Sequence, residues 1–127
     1  MIDARAATVL AVSVSLTCGG CGRHAGVTVA NGRALYAENG CANCHGASGH
    51  GDGTVGRTLT VPPRDFRDRE AFKKGDDVQA IGQTLADGLS RNGSQMPAFA
   101  HLSRQERESL ALFVISLRDA ENKGVVR

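Results

Sequence analysis

Two cysteines three positions apart, with a histidine immediately after the second, are the residues best suited to chemistry: Cys41-Ala42-Asn43-Cys44-His45. One turn of chain at this spacing presents two thiols on the same side, and the next residue brings an imidazole beneath them. That is the geometry needed to join two sulfurs to the vinyl edge of a porphyrin and to offer a nitrogen to its iron, the c-type haem attachment pattern. A zinc half-site is the competing chemistry. A structural zinc usually takes four protein ligands, and the downstream chain has no second Cys pair and no His-x-x-x-His.

Iron held by His45 needs a sixth ligand or an open position. After the initiator, Met96 is the only methionine. It lies in Ser94-Gln95-Met96-Pro97-Ala98-Phe99, where Pro97 forces extended backbone on Met96 rather than a core helix. Met96 is therefore the expected distal ligand, with a gap-filling core role as the alternative. His50 follows His45 too closely to reach the other face of a porphyrin, His101 stands just before a helix start, and His24 precedes the domain. None of the three is favoured over Met96.

The elements that must position these residues are helical. A first helix is expected from Asn31 to Glu38, stopped by Asn39-Gly40. A glycine-rich loop spans 46–56; with no preceding strand and no Gly-Lys-Ser/Thr, it is not a phosphate loop. Pro62-Pro63 imposes extended chain. A middle helix is expected over 77–87, capped by Asp76 and closed by Gly88, with Val78, Ile81 and Leu85 on one face. Residues 89–100 are expected to form a second loop, marked by Asn92-Gly93. In the last helix, Ser103 and Glu106 form a capping box. Leu110, Phe113, Val114 and Leu117 then make one apolar stripe. The expected class is all-α, with three to five helices and long loops.

The chain has 127 residues, 16 of them glycine, with four Phe, one Tyr and no Trp. A core so poor in aromatics gains from a large flat apolar cofactor. The net charge of +2 and the absence of a Lys/Arg run exclude a nucleic-acid binder. Residues 6–17 form an uncharged, mostly apolar run behind Arg5, too short to span a bilayer and fitting an export signal. Cys18 and Cys21 follow it directly. Lipidation of Cys21, which has Gly20 before it, or of Cys18 is the expectation. A disulfide, removal with the signal and a redox dithiol are the alternatives. The resulting division is an export signal over 1–21 (of lipoprotein type if a cysteine is lipidated), a tether over 22–30, a domain over 31–120 and a tail over 121–127.

On Cys41-Ala42-Asn43-Cys44-His45-Gly46, the loop Gly49-His50-Gly51-Asp52-Gly53 and Met96-Pro97, residues 29–118 resemble the single-haem class I cytochromes c. The bacterial branch similar to the cytochrome domains of cbb3-type oxidases is the nearest match. The resemblance implies the small class I cytochrome c fold around one haem c, covalently attached to Cys41 and Cys44, with His45 and Met96 as axial ligands. It implies a close helix crossing at Gly32-x-x-x-Tyr36, an aromatic residue at Phe113 on the last helix, and a Pro62 or Pro63 carbonyl accepting the His45 Nδ1 proton. The cysteines at 18 and 21 fall outside this pattern.

The expected function is a single-electron carrier, not an enzyme, on the periplasmic side or the outer face of the cytoplasmic membrane. Its partners would be redox proteins such as a terminal oxidase, reductase or dehydrogenase. A haem enzyme or gas sensor with an open iron site, and a fixed cytochrome subunit of an oxidase or dehydrogenase complex, are the alternatives. Leu59, Phe66, Ile81, Leu85 and Phe99 are the expected pocket lining, and Arg57 or Arg64 the expected partner of a haem propionate.

Overall fold

The computed structural model of the chain describes residues 25–91 and 93–123. His24, Cys18, Cys21 and the expected export signal lie outside the described residues. Four helices form: α1 (Val29–Glu38), α2 (Cys41–His45), α3 (Val78–Asp87) and α4 (Arg104–Lys123). Two 3-10 turns, Gly56–Thr58 and Arg69–Ala71, punctuate the chain between α2 and α3. The architecture is the mainly helical one expected, with a single small addition. Strands β1 (Leu89–Arg91) and β2 (Ser94–Met96) pair antiparallel, with Leu89 opposite Met96. Asn92-Gly93 between two short runs is a hairpin sequence, so the stretch expected to be a loop is partly a hairpin. No described helix is long and apolar enough to cross a membrane.

Helix α1 starts two residues before Asn31. The Thr28 hydroxyl accepts from Asn31 N at 3.1 Å and caps the helix. The Asn31 side chain is used differently: its amide donates to the carbonyls of Ala25 (3.0 Å) and Gly26 (2.9 Å). Thr28 N donates to the hydroxyl of Ser109 on α4 at 3.3 Å. Residues 25–28, read from sequence as tether, are thus bonded to the folded domain. At the other end, α4 continues to Lys123, into the expected tail.

The core lies where α1 and α3 pack on α4. Leu35, Tyr36, Ile81, Leu85, Leu110 and Phe113 are all buried there. The closest approach is at Gly32, where a Cβ would stand 2.0 Å from the Ser109 carbonyl oxygen and 2.8 Å from Phe113 Cβ. Only the absence of a side chain lets the two helices cross at this depth. One turn on, the Tyr36 and Phe113 rings meet edge to face, 5.1 Å apart at 68°.

The cap of α3 is Asp77, whose carboxylate accepts from Ala80 N at 2.8 Å, and not Asp76. Asp76 faces the other way. Its carboxylate meets Arg69 Nε at 2.6 Å and Arg118 Nη1 at 3.0 Å, and its carbonyl accepts from the same Arg118 nitrogen at 3.2 Å. The Arg118 side chain is only 7% exposed, and Asp76, together with Asp119 at 3.4 Å from Arg118 Nε, neutralises this nearly buried cation. The Arg69 bond, aided by Arg118, holds the Asp76 carboxyl below the usual carboxylate range. A depressed folded value means stability that is complete above that range (about pH 4) and is lost as pH falls through the folded value. Asp76→Asn should therefore lower the melting temperature at neutral pH. The difference from the parent protein should shrink in melts run at progressively lower pH below 4. A pH-independent difference would mean the charge is not what matters.

Candidate cofactor site

Helix α2 is the attachment motif itself. It follows α1 after Asn39 and Gly40, the latter in left-handed backbone. A five-residue helix cannot hold its own geometry, because the carbonyls at its C-terminal end have no intrahelical partner. The glycine-rich loop supplies them. Val55 N donates to Asn43 O (2.8 Å), Gly53 N to Cys44 O (3.2 Å) and Gly51 N to His45 O (2.9 Å). The loop is thus a backbone clasp around the motif.

Helix α1 adds a second hold. The hydroxyl of Tyr36, buried between α1 and α4, donates to the carbonyl of Gly46 at 2.7 Å, next to His45. Burial, with Cys41 and Asp52 nearby, raises the phenol pKa well above its ordinary value, so the hydroxyl stays a donor at any working pH. Removing it leaves a buried carbonyl short of a partner. Tyr36→Phe should cost about 1–2 kcal/mol by thermal or denaturant unfolding, with the ring packing on Phe113 kept. An unchanged midpoint would show that Gly46 O finds water instead.

His45 is half-buried, and burial lowers its pKa, partly offset by the Arg64 backbone. The ring is therefore neutral at neutral pH, as a metal ligand must be. Its plane stacks on Phe66, with centroids 4.8 Å apart and planes at 29°. Nδ1 is buried, and the hydrogen-bonding group that acts on the ring is the Arg64 backbone, at a geometry looser than a full hydrogen bond. The backbone group acting on the ring is thus one residue beyond the Pro62-Pro63 pair expected from sequence. Burial pushes the Cys41 thiol up to about 11. A thiol protonated at neutral pH does not fit a reactive low-pKa dithiol. Nor do these groups form a zinc cage, since among the described residues no three His, Cys, Asp or Glu side chains stand together as a metal-binding group.

Cys41, Cys44 and His45 open onto a mainly apolar cleft of about 370 Å³, within the range of cofactor sites, roughly 300–1,000 Å³. Met96 and Pro97 line the same cleft, brought there by the hairpin. Leu59, Phe66, Ile81 and Leu85 line it as expected, joined by Val61, Phe72, Leu89, Leu110 and Val114. Phe99 does not line the cleft; it packs against the core cluster, and its N–H donates to Leu85 O at 2.7 Å. Arg64 is at the cleft wall, whereas Arg57 is exposed away from it. His50 and His101 are not among the lining residues; His101 is exposed, its ring 6.1 Å from that of Phe99.

The structure therefore brings all four predicted site residues to one cleft. Tyr36 as an anchor of Gly46 was not read from sequence. Its signals are its place in Gly32-x-x-x-Tyr36 and its being the sole tyrosine of the chain. The donor set fits a haem joined through both sulfurs: two thiols, a neutral imidazole and a thioether line one cleft whose other walls are mainly apolar.

Comparison with known proteins gives two findings. The family model described as Cytochrome c matches residues 29–118. A chain of the Kuenenia stuttgartiensis reducing HAO-like protein complex Kustc0457/Kustc0458 is similar in structure, with a TM-score of 0.60 and 33% sequence identity. The match covers 70% of this chain and 43% of that one, so it spans less than half of the neighbour's length. No curated protein matches the chain.

Proposed function

The chain belongs to the cytochrome c family, and from that premise we propose that it is a single-haem, one-electron carrier with His45 and Met96 as axial ligands. Family membership carries a covalently bound c-type haem and haem-based electron transfer. Cys41 and Cys44 would hold the group by thioether bonds. When bound, it supplies iron that alternates between two charge states.

The chain's own residues do the rest. One observation carries the ligand assignment: Met96 and His45 line the same cleft, on segments brought together by the hairpin and the glycine clasp. A soft, neutral thioether opposite imidazole favours the reduced state and so raises the potential. The apolar walls act the same way, since they penalise the extra charge of the oxidised state. If His45 and Met96 both held the metal, these two side chains would keep substrate from it. Docking with a redox partner then needs only a small interface at the cleft rim.

The test is the absorption spectrum of the oxidised and reduced protein from a host that matures c-type haem, followed by carbon monoxide addition to the reduced form at neutral pH. A low-spin spectrum with no carbon monoxide response supports the carrier. A rapid and full response would replace it with an open-site enzyme or sensor.

A second reading is favoured by the structural neighbour, which is part of an HAO-like complex. On that reading the domain is a fixed electron-transfer module of a larger redox assembly. Co-purification with a stable complex would favour it; recovery as a free monomer would favour the mobile carrier. The proposed place is the periplasmic side, with Cys21 or Cys18 as lipid anchor. Changing both to Ser should release the protein from the membrane with its haem retained; loss of haem would overturn this division of the cysteines.

A further inference from the structure

One wall of the cleft is made by a stretch with little regular structure. Phe72, Lys73, Lys74 and Gly75 all line the cleft, between the 3-10 turn Arg69–Ala71 and α3. The backbone bonds of this stretch are local. Phe72 N donates to Arg69 O (3.1 Å), Lys73 N to Ala71 O (3.0 Å) and Gly75 N to Phe72 O (3.0 Å). Such turns shape the stretch but do not fasten it to the rest of the domain.

Side chains do the fastening. The Phe72 ring packs on the core cluster. Lys74 meets Asp87 of α3 at 3.8 Å, but both side chains are about half exposed, so this pair holds little. Asp76 is placed differently. Its carboxylate takes Arg69 at the start of the stretch and Arg118 on α4, and its carbonyl takes the same Arg118 nitrogen. The Arg69 side chain is 66% exposed, so its pair is a weak hold. The Arg118 side chain is sheltered, and its contact with Asp76 spans 42 positions of chain. Asp119, the other carboxylate near Arg118, lies on the same helix, so it is the Asp76 contact that crosses to the stretch.

We propose that Arg118 is the positioning residue of this wall: through Asp76 it holds residues 72–75 at the cleft and so keeps water from the cofactor. This rests on the reading of the cleft as a haem site. Arg118 is not among the residues that line the cleft, so it acts through the wall. Water stabilises the more highly charged oxidised state, and a loosened wall therefore lowers the potential. Charge alone would act otherwise. A carboxylate favours the oxidised state and a cation the reduced one. Neutralising Asp76 would then raise the potential, whereas neutralising Arg118 would lower it. Release of the wall lowers it in both cases, so the two variants together tell the causes apart.

The experiment uses the haem-loaded protein with Asp76→Asn, Arg118→Gln, both changes together, and Arg118→Lys, which keeps the cation should Gln fail to fold. Three quantities are read: the midpoint potential, amide hydrogen exchange at Phe72 and Gly75, and the melting temperature. Asp76→Asn and Arg118→Gln should each lower the potential. Exchange at the two amides should quicken about tenfold or more, as expected when one partner of a sheltered ion pair is lost and the segment opens locally. Arg118→Lys, a cation without the planar fork, should recover part of both shifts. The double variant should move the potential no further than the larger single change, because both act through one contact. Opposite shifts of potential in Asp76→Asn and Arg118→Gln would mean that charge alone is felt, and the proposal fails. A lower melting temperature with parental potential and exchange would make the pair ordinary stabilisation, and the proposal fails likewise. Failure of the haem reading is distinguishable, because the unsubstituted protein would then show no haem absorption, while amide exchange would still report on the wall.

Discussion

Met96→Ala protein should bind carbon monoxide in its reduced form to full occupancy, where the parent protein binds none. The argument runs from the hairpin. Met96 closes β2 opposite Leu89, and Pro97 fixes the backbone that follows. Both Met96 and Leu89 face the cleft. Truncation at 96 removes the thioether but leaves the strand pairing, so the strand cannot bring another sulfur to the vacated place. His50 and His101 do not line the cleft and are poorly placed to substitute. The midpoint potential should fall by on the order of 0.1 V, a modest part of the roughly 0.8 V over which axial ligands set haem potentials. Met96→Leu separates ligation from packing. It nearly conserves volume and should cost less than about 1.5 kcal/mol, yet it should open the site as fully as alanine does. A Met96→Leu protein that still refused carbon monoxide would remove Met96 from the ligand set.

The second large effect is at the helix crossing. Gly32→Ala places a carbon 2.0 Å from the Ser109 carbonyl oxygen and 2.6 Å from its carbon. These are backbone atoms of a twenty-residue helix, so no rotamer change relieves the clash. The helices must move apart, and Tyr36 moves with α1, away from Gly46. Overpacking typically costs about 1–3 kcal/mol, and contacts with rigid backbone put this one near the upper end. For a domain of this size that is a drop of roughly 10–20 °C in melting temperature. Gly82 in α3 gives the matched contrast. A Cβ there meets nothing within 4 Å. Gly82→Ala should therefore stabilise by about 0.5–1 kcal/mol, through helix propensity alone. Equal effects of the two changes, measured by calorimetry, would contradict the crossing geometry.

Features written in short spacings were legible in the sequence. The capping box at Ser103 and Glu106 forms both its bonds, Ser103 N to Glu106 Oε2 at 2.7 Å and Glu106 N to Ser103 Oγ at 3.3 Å. The stripe of α4 faces the core as its period required. The two cysteines and His45 sit together because they are adjacent in chain. Errors arose where one residue type can serve two ends. Asn31 is a good cap, but Thr28 offered a hydroxyl first. Asp76 and Asp77 are both caps by type, and the choice between them was made by Arg118, 42 positions away. The backbone group acting on His45 is that of Arg64, one residue past the prolines, because Pro-Pro dictates extended chain but not which backbone group it turns inward. Phe99 and Phe72 are equally apolar; only the path of the hairpin decides which one meets the cleft.

The bonding of residues 25–28 has a mechanical meaning. A pull on the chain ahead of Ala25 is borne first by the Asn31 amide and the Ser109 hydroxyl, which tie that segment to α1 and α4 at once. Ser109 also faces Gly32 at the crossing, and only Asn39 and Gly40 separate the end of α1 from Cys41. The load path from residues 25–28 to His45 therefore runs through helix, interrupted only at Asn39-Gly40. A domain held by its N-terminal side would turn as a rigid rotor, and the azimuth of its cleft would follow the attachment point.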